Sequence, residues 1–142
     1  NLGMGEAWSG DHARGIECLL RAVRMSPRDP WLPHYHHLLA SAAGLARDYE
    51  SARRWALAAH RQSPSNPTSL VLLAVSCAGM GELSDARAAL EEARRIAPEY
   101  VEVRLQHADS YPYRRREDRV HAWTLVRIAG GLEDPRAAET LR

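Results

Sequence analysis

The chain has 142 residues, with 19 basic and 18 acidic side chains and a formal net charge of +1, so it carries no global field for nucleic acid or an anionic membrane. All the basic residues are Arg, and the absence of Lys excludes Walker-type phosphate loops and Schiff-base lysine chemistry together. A 45% hydrophobic fraction suffices for a packed core. Two cysteines, Cys18 and Cys77, are too few for a disulfide framework, which predicts reduced thiols in a cytoplasmic setting.

Taken in chain order, the pattern predicts an all-α chain. A helix remnant covers 1–8, and helices follow at 11–25, 31–46, 49–62, 67–79, 83–96 and 100–109. A Tyr-Pro-Tyr break comes next, and an amphipathic helix from Glu117 to Ala129 is stopped by Gly130-Gly131. The apolar run from Leu70 to Ala78 is too short to span a membrane. Asn1 does not open a signal peptide, and the start reads as a boundary within something longer.

Self-comparison shows a repeat. The segment from Gly81 to Pro98 lies on Arg47 to Pro64, and again on Gly10 to Pro27. Small residues coincide at Gly15, Ala52 and Ala86. Leu19, Ala56 and Leu90 follow, then Ala22, Ala59 and Ala93, and Pro27, Pro64 and Pro98 close each unit. This spacing puts the small and apolar residues on one helical face, where a neighbouring helix can approach closely. The closing Pro lacks an amide hydrogen and ends the unit.

With Leu2-Gly3, Gly10-Asp11, Asp48-Tyr49 and the Ala/Pro landmarks, the chain resembles the tetratricopeptide repeat (TPR) family. The consensus Trp of helix A is replaced by His36, Leu70 and Arg104. The resemblance implies a right-handed α-solenoid of about three helix pairs plus a C-terminal capping helix. Units fall at about 1–29, 33–66 and 67–100, with a fourth A-type helix at 100–109, making an array over 1–111; 112–142 is the capping helix and tail. The SPRDPWL insertion, the SPSNP segment, Tyr-Pro-Tyr and the Gly130-Gly131-Leu132 ending also resemble the C-terminal repeat region of bacterial proteins with an adenylate/guanylate cyclase domain or a winged helix.

The function implied is non-enzymatic protein–protein interaction. The partner is another protein or peptide, with self-association an option, and neither nucleic acid nor membrane. The alternative is a regulatory or oligomerisation domain of a larger bacterial signalling protein. In the family, A-helix positions line a concave groove; here they are Met4, Trp8, His34, His37, Ser41, Val71, Val75 and Leu105, an apolar set with two histidines. Arg, Lys and Asn are missing from the inward positions, which argues against a clamp for carboxylates. The groove is either open or filled by the C-terminal helix or a neighbouring copy.

No catalytic set and no cofactor are predicted. His34 and His37 share a helical face, but two histidines do not close a zinc site. Neither cysteine has an activating base placed by a motif, and Cys77 reads as buried. Arg114-Arg115-Arg116 reads as the solvated start of the capping helix. Arg53-Arg54 and Arg94-Arg95 are expected to pair locally with Glu50, Glu91 and Glu92.

Overall fold

A computed structural model describes residues 12–25, 28 and 32–141, and among these every regular element is helical. We number the helices α1 (His12–Met25), α2 (Leu32–Leu45), α3 (Tyr49–Gln62), α4 (Pro67–Gly79), α5 (Leu83–Ile96), α6 (Pro98–Gln106) and α7 (Arg116–Ala129). Two 3-10 segments, Ala108–Ser110 and Pro135–Leu141, flank α7. The predicted helix at 100–109 instead starts at Pro98 and gives way after Gln106, where His107 is extended and a 3-10 turn follows. The predicted remnant at 1–8 lies outside the described residues.

Local chemistry sets the boundaries. The Asp48 carboxylate accepts the Ser51 amide at 3.2 Å, and the Asn66 side chain accepts the Thr68 amide at 3.0 Å. Each satisfies an amide at the helix start that has no intrahelical partner. Pro67 and Pro98 occupy first helical positions, where a missing amide hydrogen costs nothing. Three helix ends share one geometry. Arg47, Gly81 and Gly131 adopt φ of 65°, 79° and 76°. The next amide reaches back five residues in each case: Asp48 to Ala43 (2.9 Å), Glu82 to Cys77 (2.9 Å) and Leu132 to Arg127 (2.8 Å). Glycine adopts this left-handed backbone freely, whereas Arg47 does so at a cost of ~1–2 kcal/mol. A tertiary tie accompanies the strain: the Arg47 Nη1 donates to the Leu45 carbonyl at 2.8 Å and lies 3.8 Å from the Asp118 carboxylate on α7.

Each helix from α1 to α6 packs on the next, and α2 also touches α4, so A-type and B-type helices stack as a solenoid. The repeat landmarks sit at the contacts: Ala52, Ala56, Ala59, Ala86, Leu90 and Ala93 are all buried. Cys77 is buried as well. The main core runs through α4, α5, α6 and α7, while Leu19, Leu38 and Leu39 form a smaller cluster with Tyr35 and Trp55. The last helix departs from the ladder. Rather than extending the stack, α7 packs on α4, α5 and α6.

One close approach is glycine-dependent. A Cβ on Gly79 would stand 2.6 Å from Cδ1 and Cε1 of Tyr49, whose hydroxyl is itself hydrogen-bonded to His121 of α7. Gly79→Ala should therefore cost about 2 kcal/mol through overpacking, against the few tenths gained in helix propensity. Urea denaturation would show it; unchanged stability would mean that the Tyr49 ring does not rest on α4.

Candidate functional site: the concave face and the outer groove

The concave face is built by the A-type helices α2, α4 and α6, and the chain's own C-terminal segment covers most of it. Ser41, Val71, Val75 and Leu105, predicted to line the groove, are all buried. Tyr113 reaches Ser41 with its hydroxyl, and burial pushes that hydroxyl up to about 12 despite the hydrogen bond. The Trp123 indole of α7 donates to the Leu105 carbonyl at 2.8 Å. At the far end Tyr49 and His121 share a 2.7 Å hydrogen bond across 72 residues, with their rings 5.9 Å apart.

What remains accessible is a cavity of about 60 Å³ bounded by α2, α4, α6 and the Tyr-Pro-Tyr loop. Its walls include His37, Ser41, Val71 and Val75 from the predicted set, with Thr68, Tyr100, Arg104 and Tyr111 at their side. Pockets that enclose a drug-sized ligand run to ~300–1,000 Å³, so this one admits the end of a single side chain. Leu105 is not in its wall. Exposed His34 lies beside His37 with the rings nearly parallel at 6.3 Å. Met4 and Trp8 lie outside the described residues.

The electrostatics here differ from the sequence expectation. No Arg is expected at the inward positions, yet Arg104 lines the cavity. Its guanidinium lies 4.9 Å from the Tyr100 ring centroid and 5.0 Å from that of Tyr111, and donates to the Ser110 carbonyl. Arg104 stands where the repeat consensus has Trp, and Tyr111 and Tyr113 belong to a segment read only as a break. Burial, then repulsion from His34 and from Arg104, depresses His37 to about 4. His36 turns away and stacks on Trp55 at 5.3 Å. Among the described residues, no three His, Cys, Asp or Glu side chains cluster as a metal site.

A second recess lies on the opposite, B-helix side. Leu70, Leu73 and Cys77 of α4 form its floor, Leu57 of α3 and Ala88 and Ala89 of α5 its walls, and the space is about 560 Å³. Arg53 and His60 edge it on α3, Asp85 and Glu92 on α5. Burial, and then Glu82 and Asp85, raise the Cys77 thiol to about 11, so it is a neutral, apolar part of the floor. Arg53 does not pair with Glu50 as its helical spacing suggested; it reaches across to Glu82 at 2.7 Å, because side chains of successive units face each other here. Arg95 does pair locally with Glu92.

The architecture is that of a TPR-like α-solenoid closed by its own C-terminal helix. No family model matches this chain, and no curated protein does. Among solved structures, one titled "MamA MSR-1 C2" superposes with a TM-score of 0.63 at 21% identity, covering 92% of this chain and 72% of that one. The likeness is one of fold. The resemblance to repeat regions of cyclase-domain or winged-helix proteins receives no support from these comparisons and is set aside. Among the described residues, no helix is long and apolar enough to cross a membrane.

Proposed function

We propose that this chain is a non-enzymatic protein-interaction module that receives one apolar side chain of a partner peptide at the mouth of its concave face. The observation that supports this is the half-open cavity between α2, α4 and α6, left where the C-terminal segment stops covering the A helices. Val71, Leu72 and Val75 offer apolar walls, and removal of an inserted aliphatic group from water contributes roughly 1.5–3 kcal/mol. Arg104 and His37 at the same cavity offer polar contacts, so a peptide carbonyl or carboxylate next to the inserted side chain finds a donor. This replaces a long peptide groove with a single anchoring socket, because Leu105 is buried outside the cavity wall and Ser41, Val71 and Val75 keep only 3–6% of their surface accessible.

A random peptide library panned against the folded chain tests the reading. Enriched peptides should share one aliphatic residue at a fixed position. Binding should weaken at least tenfold on Thr68→Trp, which plugs the mouth from a half-buried position, and should persist on Arg94→Ala at an exposed site of α5. Enriched peptides indifferent to Thr68→Trp would move the binding site elsewhere.

A further inference from the structure

The groove between the B-type helices is a second surface with a chemistry of its own. Its floor residues Leu70, Leu73 and Cys77 stand at i, i+3 and i+7 on α4. Arg53 and His60 are seven residues apart on α3, and so are Asp85 and Glu92 on α5. Seven residues span ~10.5 Å of helix, so each wall carries two polar groups at the spacing of two helical turns. One wall carries Arg53, which also pairs with Glu82, and His60; the other carries Asp85, exposed at the rim, and Glu92, which also pairs with Arg95. The Arg53–Glu82 pair closes one end at 2.7 Å. The α5 wall stays low because Ala88 and Ala89 project only a methyl each.

We propose that this groove docks an amphipathic helix of a partner protein, with its apolar stripe on Leu57, Leu70 and Leu73, basic side chains along the edge facing Asp85 and Glu92, and carboxylates along the edge facing Arg53 and His60. The space of about 560 Å³ is open along its length, which suits the ridge of a helix better than an enclosed small molecule. Asp85 is exposed at the rim, where a cation can reach it without a large desolvation cost. A second copy of this chain offers no matching ridge among its described residues. Its exposed large apolar side chains, Met25, Leu83, Val103 and Leu132, stand on separate elements rather than in one stripe. Two copies meeting groove to groove would leave the recess unfilled.

The probe is a synthetic, fluorescein-labelled helical peptide with Leu at successive a and d positions, Arg along one flank and Glu along the other. Its counterpart has the same stripe with Glu along both flanks. Anisotropy titrations should show the first peptide bound at least tenfold more tightly. Ala88→Trp fills the recess from an exposed position and should weaken that binding at least tenfold, with the helical circular dichroism unchanged. The double variant Asp85→Arg, Glu92→Arg should reverse the preference between the two peptides. Thr68→Trp, which tests the concave cavity, should leave the probe's affinity as it was. Equal binding of both peptides, binding insensitive to Ala88→Trp, or loss on Thr68→Trp would each overturn the proposal. So would a self-association in sedimentation velocity that Ala88→Trp abolishes, since the occupant would then be a second copy.

Discussion

Leu125→Ala should remove about 3–4 kcal/mol of stability, the cost of deleting a large aliphatic side chain from a fully buried site. Leu125 is 0% exposed and belongs to the core shared by α4, α5, α6 and α7. For a chain of this length, ~1 kcal/mol corresponds to roughly 3–5 °C in melting temperature, so the expected drop is ~9–20 °C. Leu132→Ala, at a position 55% exposed just past the helix, should stay within ~0.5 kcal/mol. The pair carries functional weight. A cooperative loss on Leu125→Ala means that α7 is part of the folding unit and permanently occupies the concave face. If Leu125→Ala proved no more costly than Leu132→Ala, α7 would be detachable, and the groove over Ser41, Val71 and Val75 would be open to partners.

Acidification from pH 7 to 5 should cost about 4 kcal/mol through two histidines. Burial, and secondarily the Arg47 charge, holds His121 down to about 3; burial, His34 and Arg104 hold His37 down to about 4. Both titrate near 6.5 in the unfolded chain. A depressed folded value means that the unfolded chain takes up protons first as the pH falls. Stability is then fully present above about 6.5 and declines until the folded groups themselves protonate, near 4 for His37 and 3 for His121. Within that window each contributes up to ~1.4 kcal/mol per pH unit. His36 is lowered by burial and acts in the same direction. Most carboxylates titrate below pH 5, so urea unfolding at pH 7, 6 and 5 isolates the histidine contribution. His121→Gln should flatten the slope by about half whatever its effect at pH 7; an unaltered slope would mean that His121 is already charged in the fold.

The two binding surfaces differ in what they ask of a partner. The concave cavity takes a single side chain beside Arg104 and His37, and the outer groove offers an apolar floor between walls of unlike charge. Plugging one from Thr68 and the other from Ala88 separates them, because these residues stand on different helices and on opposite sides of the α4 layer.

The repeat was legible because its information is local. Ala52, Ala56, Ala59 and Ala86, Leu90, Ala93 stand at helical spacings that put them on one face, and all are buried where neighbouring helices meet. Helix limits fell within one to three residues of those observed, since Asp48, Asn66, Pro67 and Pro98 cap or start helices through their own backbone chemistry. Where the non-periodic C-terminal segment packs was a different matter. Nothing in a 34-residue period says what α7 touches, and only the fold brings His121 to Tyr49, Asp118 to Arg47 and Trp123 to the Leu105 carbonyl. Arg47 shows the limit well. Alignment sets it opposite Gly81, whose left-handed helix end it shares, but its approach to Asp118 emerges only once α7 lies across α4. Arg53 shows the same in charge: helical spacing offered it Glu50, and the stacking of units offered Glu82 at 2.7 Å. Spacing along one helix determines which face is buried, whereas the partner on that face depends on contacts between residues far apart in the chain, which the periodicity does not encode.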